Sequence, residues 1–274
     1  MPASNSLPVR ITALVFVLVS AALIYTSIGP GKGVTLALAI ASVVMFAVTW
    51  FNANKLLGAS ATLRFLLIAV SFGWFAEQMG STDGWFFGSY TYTEVLGLRF
   101  VGVPVVIPMM WFVLTYSCYV ISNLIVWQSP VDSTPGWGNL VFMSFLAAMI
   151  VTAFDLGADP YLVYVLKAWI MNKPDGAWFG ETVQGFFGWV FVSFVILSAF
   201  RFSTRKMDFK AASAGFRPHH AAVPLGIYGS EMVFQICLGY PVEIKSIAPF
   251  AMGIPLLCAL AGLHRWRLQL KAAA

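Results

Sequence analysis

Charge is scarce in this sequence. Asp, Glu, Lys and Arg together make up 10% of its 274 residues, while 59% are apolar. A soluble globular chain is about a quarter charged, so that class is excluded, and a mean hydropathy of +0.82 agrees. Histidine is nearly missing: His219, His220 and His264 all lie in or beside basic segments. No histidine box stands in an apolar run, which argues against a di-iron hydroxylase or desaturase, since those need several imidazole ligands. Cys118, Cys237 and Cys258 lie in apolar runs without CxxC spacing, so neither a disulfide framework nor a metal site follows. Nucleotide motifs, low-complexity segments and a strong internal repeat are also missing. The expectation is a chain with no metal and no cofactor.

What is abundant is long continuous apolar sequence. Outer-membrane strands alternate apolar and polar residues, whereas these runs do not, so the fold class expected is all-α, a polytopic membrane helical bundle. A spanning helix needs about 20 mostly apolar residues. Eight segments qualify, at roughly 11–28, 34–51, 62–79, 101–127, 138–156, 183–202, 221–240 and 246–263. The first follows Arg10 and has the look of a signal peptide, but it lacks a small-residue cleavage site and is read as a retained helix. With eight spans, Lys and Arg divide 11 to 5 between the two sides, summing to the 16 of the composition. The richer side is cytoplasmic by the positive-inside rule, which puts both termini there, in a cytoplasmic membrane of bacterial or archaeal type. Anchoring charge, together with the basic loop 203–220 on anionic lipid, then accounts for a pI of about 9.2 without nucleic acid. The whole of 1–274 reads as one helical transmembrane domain.

Two loops fall on the opposite side, 80–100 and 157–182, and acids lead into both. The stretch Trp74–Trp111 opens with Glu77 near the end of an apolar run. It continues through Gly80, Gly84, Phe87, Gly88, Tyr90 and Tyr92 to a second run starting Gly102-Val103-Pro104. An acid at membrane depth is costly and marks a functional site by default. Asp155 and Asp159, in FDLGADP, would share a face of a continuous helix at i, i+4. Pro160 offers another reading, in which Asp159 caps a new helix over 160–171. Glu231, mid-helix in IYGSEMVFQ, either shares a proton with another acid or packs on Gln235 one turn on. The aromatics of 85–92 and 178–189 form either an interfacial belt or a groove for a long flat apolar ligand, whose ring faces would stabilise a passing carbocation. Pro108 either sits harmlessly at the start of the fourth span or kinks it.

The spacing Glu77-x-x-Gly80-x-x-x-Gly84-x-x-Phe87-Gly88-x-Tyr90-x-Tyr92, then Gly102-Val103-Pro104 and Ile107-Pro108-x-x-Trp111, resembles the carotenoid-biosynthesis membrane protein family. That family includes CruF-type carotenoid hydratases and bisanhydrobacterioruberin hydratase. The likeness continues through Asp155-Leu156-x-x-Asp159-Pro160, Trp178-Phe179-Gly180 and Phe186-x-Gly188-Trp189, covering about residues 74–190. It departs from the family pattern at Thr182 and Gly185, where proline and asparagine are expected.

The resemblance implies a cofactor-independent hydro-lyase that adds water across the terminal double bond of an acyclic carotenoid. A protonated carboxyl would deliver H⁺, leaving a tertiary cation that water captures while a carboxylate takes its proton. Glu77 and Asp155 are the expected acid/base pair, with Asp159 in support. Phe87, Tyr90, Tyr92, Trp111, Trp178, Trp189 and Glu231 are expected to bind substrate. The implied partners are the carotenoid, water, the lipid bilayer and other carotenoid-biosynthesis enzymes. A carotenoid or isoprenoid cyclase would share the first step and exclude water. A prenyltransferase would want a second Asp-rich motif, and none is found. A proton-coupled transporter would usually show repeated discontinuous helices. A purely structural partner of a pigment-synthesis complex would need no chemistry at all.

Overall fold

The computed structural model describes residues 32–131, 136–174, 176–209 and 215–272. Its main elements are the helices α1 (Lys32–Leu57), α2 (Ala59–Asp83), α3 (Val106–Trp127), α4 (Trp137–Tyr164), α5 (Val183–Thr204), α6 (Ala222–Leu238), α7 (Glu243–Ala251) and α8 (Gly253–Ala272). Between them lie four short strands, β1 (Tyr90–Tyr92), β2 (Arg99–Phe100), β3 (Val103–Pro104) and β4 (Trp169–Met171). Six helical stretches are long and apolar enough to cross a membrane, with α7 and α8 counted together and the 17-residue α6 falling short of that length. The chain is an all-α integral membrane protein. The expected span 11–28 lies outside the described residues.

Residue chemistry explains the arrangement of the bundle. Every residue of α3 from Trp111 to Leu124 is buried, so this helix has no lipid or water face. A helix apolar all round belongs in the middle, and α3 packs against α1, α2, α4, α6 and α8. Phe65 of α2 stacks on Phe200 of α5 at 4.0 Å and meets Phe112 of α3 edge-on at 5.9 Å. Outward-facing Leu36, Phe51, Leu67, Phe142, Phe191 and Leu257 are exposed, as lipid-facing positions should be.

One boundary differs from the sequence reading, and another decides between two readings. Residues 99–104 form the β2–β3 hairpin, with Arg99 opposite Pro104, and α3 begins only at Val106. Pro108 therefore falls in its first turn, where a missing N–H costs nothing, and no kink is needed. At Pro160 the continuous-helix reading holds and the cap reading does not. Helix α4 runs through it to Tyr164, and Asp159 is a mid-helix residue rather than a cap. Proline cannot donate to the carbonyl four residues back, which here is that of Leu156. The Trp178 indole N–H donates to this carbonyl at 2.8 Å and supplies the missing bond from outside.

Candidate functional site

The turn after α2 decides what Glu77 meets. Gly84 closes the helix in the left-handed conformation (φ 72°), and its N–H donates to the Gly80 carbonyl at 3.0 Å. The chain then doubles back as β1, which pairs antiparallel with β4, Tyr90 opposite Met171 and Tyr92 opposite Trp169. Side chains alternate across a strand, so Tyr90 and Tyr92 turn inward together while Thr91 stays exposed. Arg99 fixes the outer end of this strand by donating to the Tyr92 carbonyl at 3.1 Å while pairing with Glu94 at 3.0 Å.

Both phenols arrive on one oxygen of Glu77. Tyr90 donates to its Oε2 at 2.5 Å and Tyr92 at 2.6 Å, while the Trp111 indole donates to Oε1 at 2.9 Å. Burial, followed by the negative charge of Glu77, pushes both tyrosines well above their usual range, so they remain donors. Trp111 reaches this position because residue 73 is glycine: a Cβ there would stand 2.7 Å from the indole ring. Three donors converging on one carboxyl suit an ionised acceptor.

A second group of acids lies beside it. Asp155 and Asp159 share a face of α4, as their i, i+4 spacing requires, and both are buried. Glu181, just before α5, lies within hydrogen-bonding reach of both. The Trp169 indole lies within reach of Asp159. Asp155 Oδ2 and Glu181 Oε2 are buried and find no N–H or hydroxyl partner among the described residues. Carboxyl groups in contact satisfy one another only by sharing a proton. Burial, then the charges of Asp159 and Asp155, push the Glu181 carboxyl far above the usual range. Among the described residues, no Lys or Arg forms an ion pair with these acids.

Glu77, Asp155, Asp159 and Glu181 face one cavity of about 170 Å³. A cavity of about 150 Å³ admits a benzene-sized guest, so this one suits the end of a long apolar molecule. One wall is aromatic: Trp111 stacks on Trp189 at 4.6 Å, and Phe87 lies 6.1 Å from the first and 5.9 Å from the second. The rest is largely aliphatic, including Leu38, Met45, Met110 and Leu114. Glu231 enters from α6, where it is buried at 7% exposure. Its expected packing partner Gln235 instead donates to the Phe154 carbonyl at 2.9 Å. No group of three or more His, Cys, Asp or Glu arranged to hold a metal ion is found among the described residues.

A family model for carotenoid biosynthesis proteins matches residues 31–260, which is 230 of the 274 residues. The chain belongs to that family. Its role therefore lies in carotenoid biosynthesis. No curated protein and no solved structure matches the chain.

In this family member, nine of the ten expected site residues line the one cavity: Glu77, Phe87, Tyr90, Tyr92, Trp111, Asp155, Asp159, Trp189 and Glu231. Trp178 does not line it, its indole being spent on the carbonyl that Pro160 leaves open. The departure at Thr182 has a local purpose, since its Oγ1 caps α5 by accepting the Gly185 N–H at 3.2 Å. Glu181 is the residue that sequence reasoning missed. It lies in a loop outside every apolar run, so a search for acids within spans passes over it. Its position directly after Trp178-Phe179-Gly180 was the available signal.

Proposed function

We propose that this chain is a hydratase adding water to the terminal C=C of an acyclic carotenoid. The observation that carries this reading is a proton-sharing carboxyl cluster facing an otherwise apolar, aromatic-walled cavity the size of one end group. The Asp155–Asp159–Glu181 group gives a proton to the less substituted alkene carbon, whose π pair forms the new C–H bond. The tertiary cation left behind is stabilised by the ring faces of Trp111 and Trp189 and by the anionic Glu77. A water lone pair then forms the C–O bond, and loss of one proton yields the tertiary alcohol. The proton taken from the carboxyl cluster is balanced by the proton the water releases, so the step needs neither oxidant nor reductant. Tyr90 and Tyr92 hold Glu77 in place. The basic loops and both termini lie on the cytoplasmic side, and the polyene outside the cavity lies in the bilayer.

The test is pigment analysis of a host that makes an acyclic carotenoid, with and without this chain. Products heavier by one water per modified end support the reading. An unchanged mass with a shifted absorption spectrum would assign a cyclase instead, because protonation without water capture leads to ring closure. Untouched pigment with the protein present in the membrane would rule out both.

A further inference from the structure

The mechanism above leaves one buried acid unused. Glu231 lines the same cavity but comes from α6, whereas Glu77 comes from α2 and Asp155 and Asp159 from α4. Its helix neighbours at i−4 and i+3 pack into separate apolar clusters, Ile227 with Met45 and Val113, and Phe234 with Tyr161 and Leu166. Glu231 itself lines the cavity, as do Ser42 and Met110. Glu231 forms no hydrogen bond and no ion pair among the described residues, although it is more than nine-tenths buried. The other cavity acids are all engaged: Glu77 by Tyr90, Tyr92 and Trp111, and Glu181 with Asp155 and Asp159.

A buried carboxyl with no partner is costly to keep unless something meets it. A hydratase must hold two reactants in one apolar chamber, and water stays in such a chamber only where polar partners hold it. We propose that Glu231 holds the water that attacks the cation and takes its proton as the C–O bond forms. Resting on the hydratase reading, this assigns the two sides of the alkene. The carboxyl cluster protonates one carbon, and the water on Glu231 attacks the adjacent carbon. One O–H bond of the water breaks, its pair remains on oxygen, and its proton goes to the Glu231 carboxylate. Separating an acid from a water-activating carboxylate by the substrate itself is a known solution in other hydrolytic chemistry.

The experiment uses membranes carrying the full chain, incubated with an acyclic carotenoid in D₂O, and follows both alcohol and recovered substrate by mass spectrometry. Glu231→Gln keeps a hydrogen-bonding group of the same shape but accepts no proton. The proposal expects alcohol to fall by about 100-fold or more. Recovered carotenoid should still gain deuterium, since the cation forms, is not captured, and returns a proton to the cluster. Asp155→Asn should lose both signals. Loss of deuterium exchange in Glu231→Gln would make Glu231 the proton donor or a structural residue and would overturn the proposal. Unchanged alcohol formation would overturn it too. A Glu231→Asp variant that recovers some alcohol shows that the site is folded and needs a carboxyl. If wild type gives neither alcohol nor deuterium, it is the hydratase reading that has failed.

Discussion

The two ends of this bundle bury polar groups for opposite reasons. At the end carrying the loops 84–105 and 165–182, the buried groups are acids, and they face an open cavity. At the other end they include a base and amides, held by side chains and backbone. Arg201 donates to Asn123 Oδ1 at 3.1 Å and lies 4.5 Å over the Tyr119 ring. Asn52 ties the His220 carbonyl to the Tyr116 hydroxyl, and the exposed Arg64 donates to the Ser203 carbonyl at 3.0 Å. Buried polar groups in a membrane domain survive when satisfied. At the basic end Arg201 and Asn52 find their partners within the protein. The acid end leaves carboxyl oxygens that only shared protons, water or ligand can satisfy, and that is where chemistry is expected.

The largest way to break this contrast is to remove an acid without changing shape. Asp155→Asn is expected to lower water addition by about 100-fold to 10,000-fold, as loss of a general acid does, and Glu77→Gln by about 100-fold to 1,000-fold, as loss of a preorganised charge beside the cation does, with the protein still inserted and folded. Pigment yield normalised to membrane protein measures this. Equal loss from a basic-end substitution such as Arg64→Gln would dissolve the distinction. Next in size is Gly73→Ala, whose methyl would collide with the Trp111 ring and carry its N–H off Glu77. Activity should fall toward about 100-fold although every carboxyl remains, the scale at which misplaced catalytic groups act.

Trp178→Phe should do the reverse. It leaves the Leu156 carbonyl without a donor and is expected to cost about 1–3 kcal/mol of stability, with a smaller effect on turnover. Thermal unfolding in detergent reads the first quantity and pigment yield the second. Wild-type stability with activity abolished would mean that Trp178 touches substrate after all.

The smallest expected effects are pH slopes of opposite sign at the two ends. Glu181 binds its proton more tightly folded than unfolded, where its ordinary value is 4.5. Its contribution is present below that value and declines as pH rises above it. His220 is pushed down from 6.5 to about 4 by burial, then by His219 and Lys55, whose Nζ lies 3.1 Å from Nε2. Unfolding therefore takes up a proton between those values, and stability at this end falls as pH drops from 6.5 toward 4. Glu181→Gln should flatten the alkaline slope of a melting-temperature profile, and His220→Gln the acidic one. Slopes that do not separate this way would show that other groups dominate.

How much of this was legible depended on period and spacing. The apolar runs identified α1 to α6, because lipid demands long uninterrupted segments, but the single run expected at 246–263 is divided into α7 and α8. The i, i+4 spacing of Asp155 and Asp159 puts that pair on one face, and it reaches the cavity, whereas the strand that turns Tyr90 and Tyr92 inward together reads from sequence only as a loop. Legibility failed where a distant residue decided a local outcome. Asp-Pro also reads as a helix start, yet the Trp178 indole repairs the gap at Leu156 and α4 continues. Gly102-Val103-Pro104 reads as the start of a span, but pairing with Arg99 and Phe100 makes it a strand. Glu181 has no periodic context at all, and its role comes only from the two aspartates it meets.

The most direct test of the central claim is one pigment experiment comparing wild type, Asp155→Asn and Glu77→Gln in a host making an acyclic carotenoid. Wild type alone is expected to give products heavier by one water per modified end, with all three proteins present at similar levels in the membrane. Hydrated product from both variants at the wild-type rate would contradict that claim.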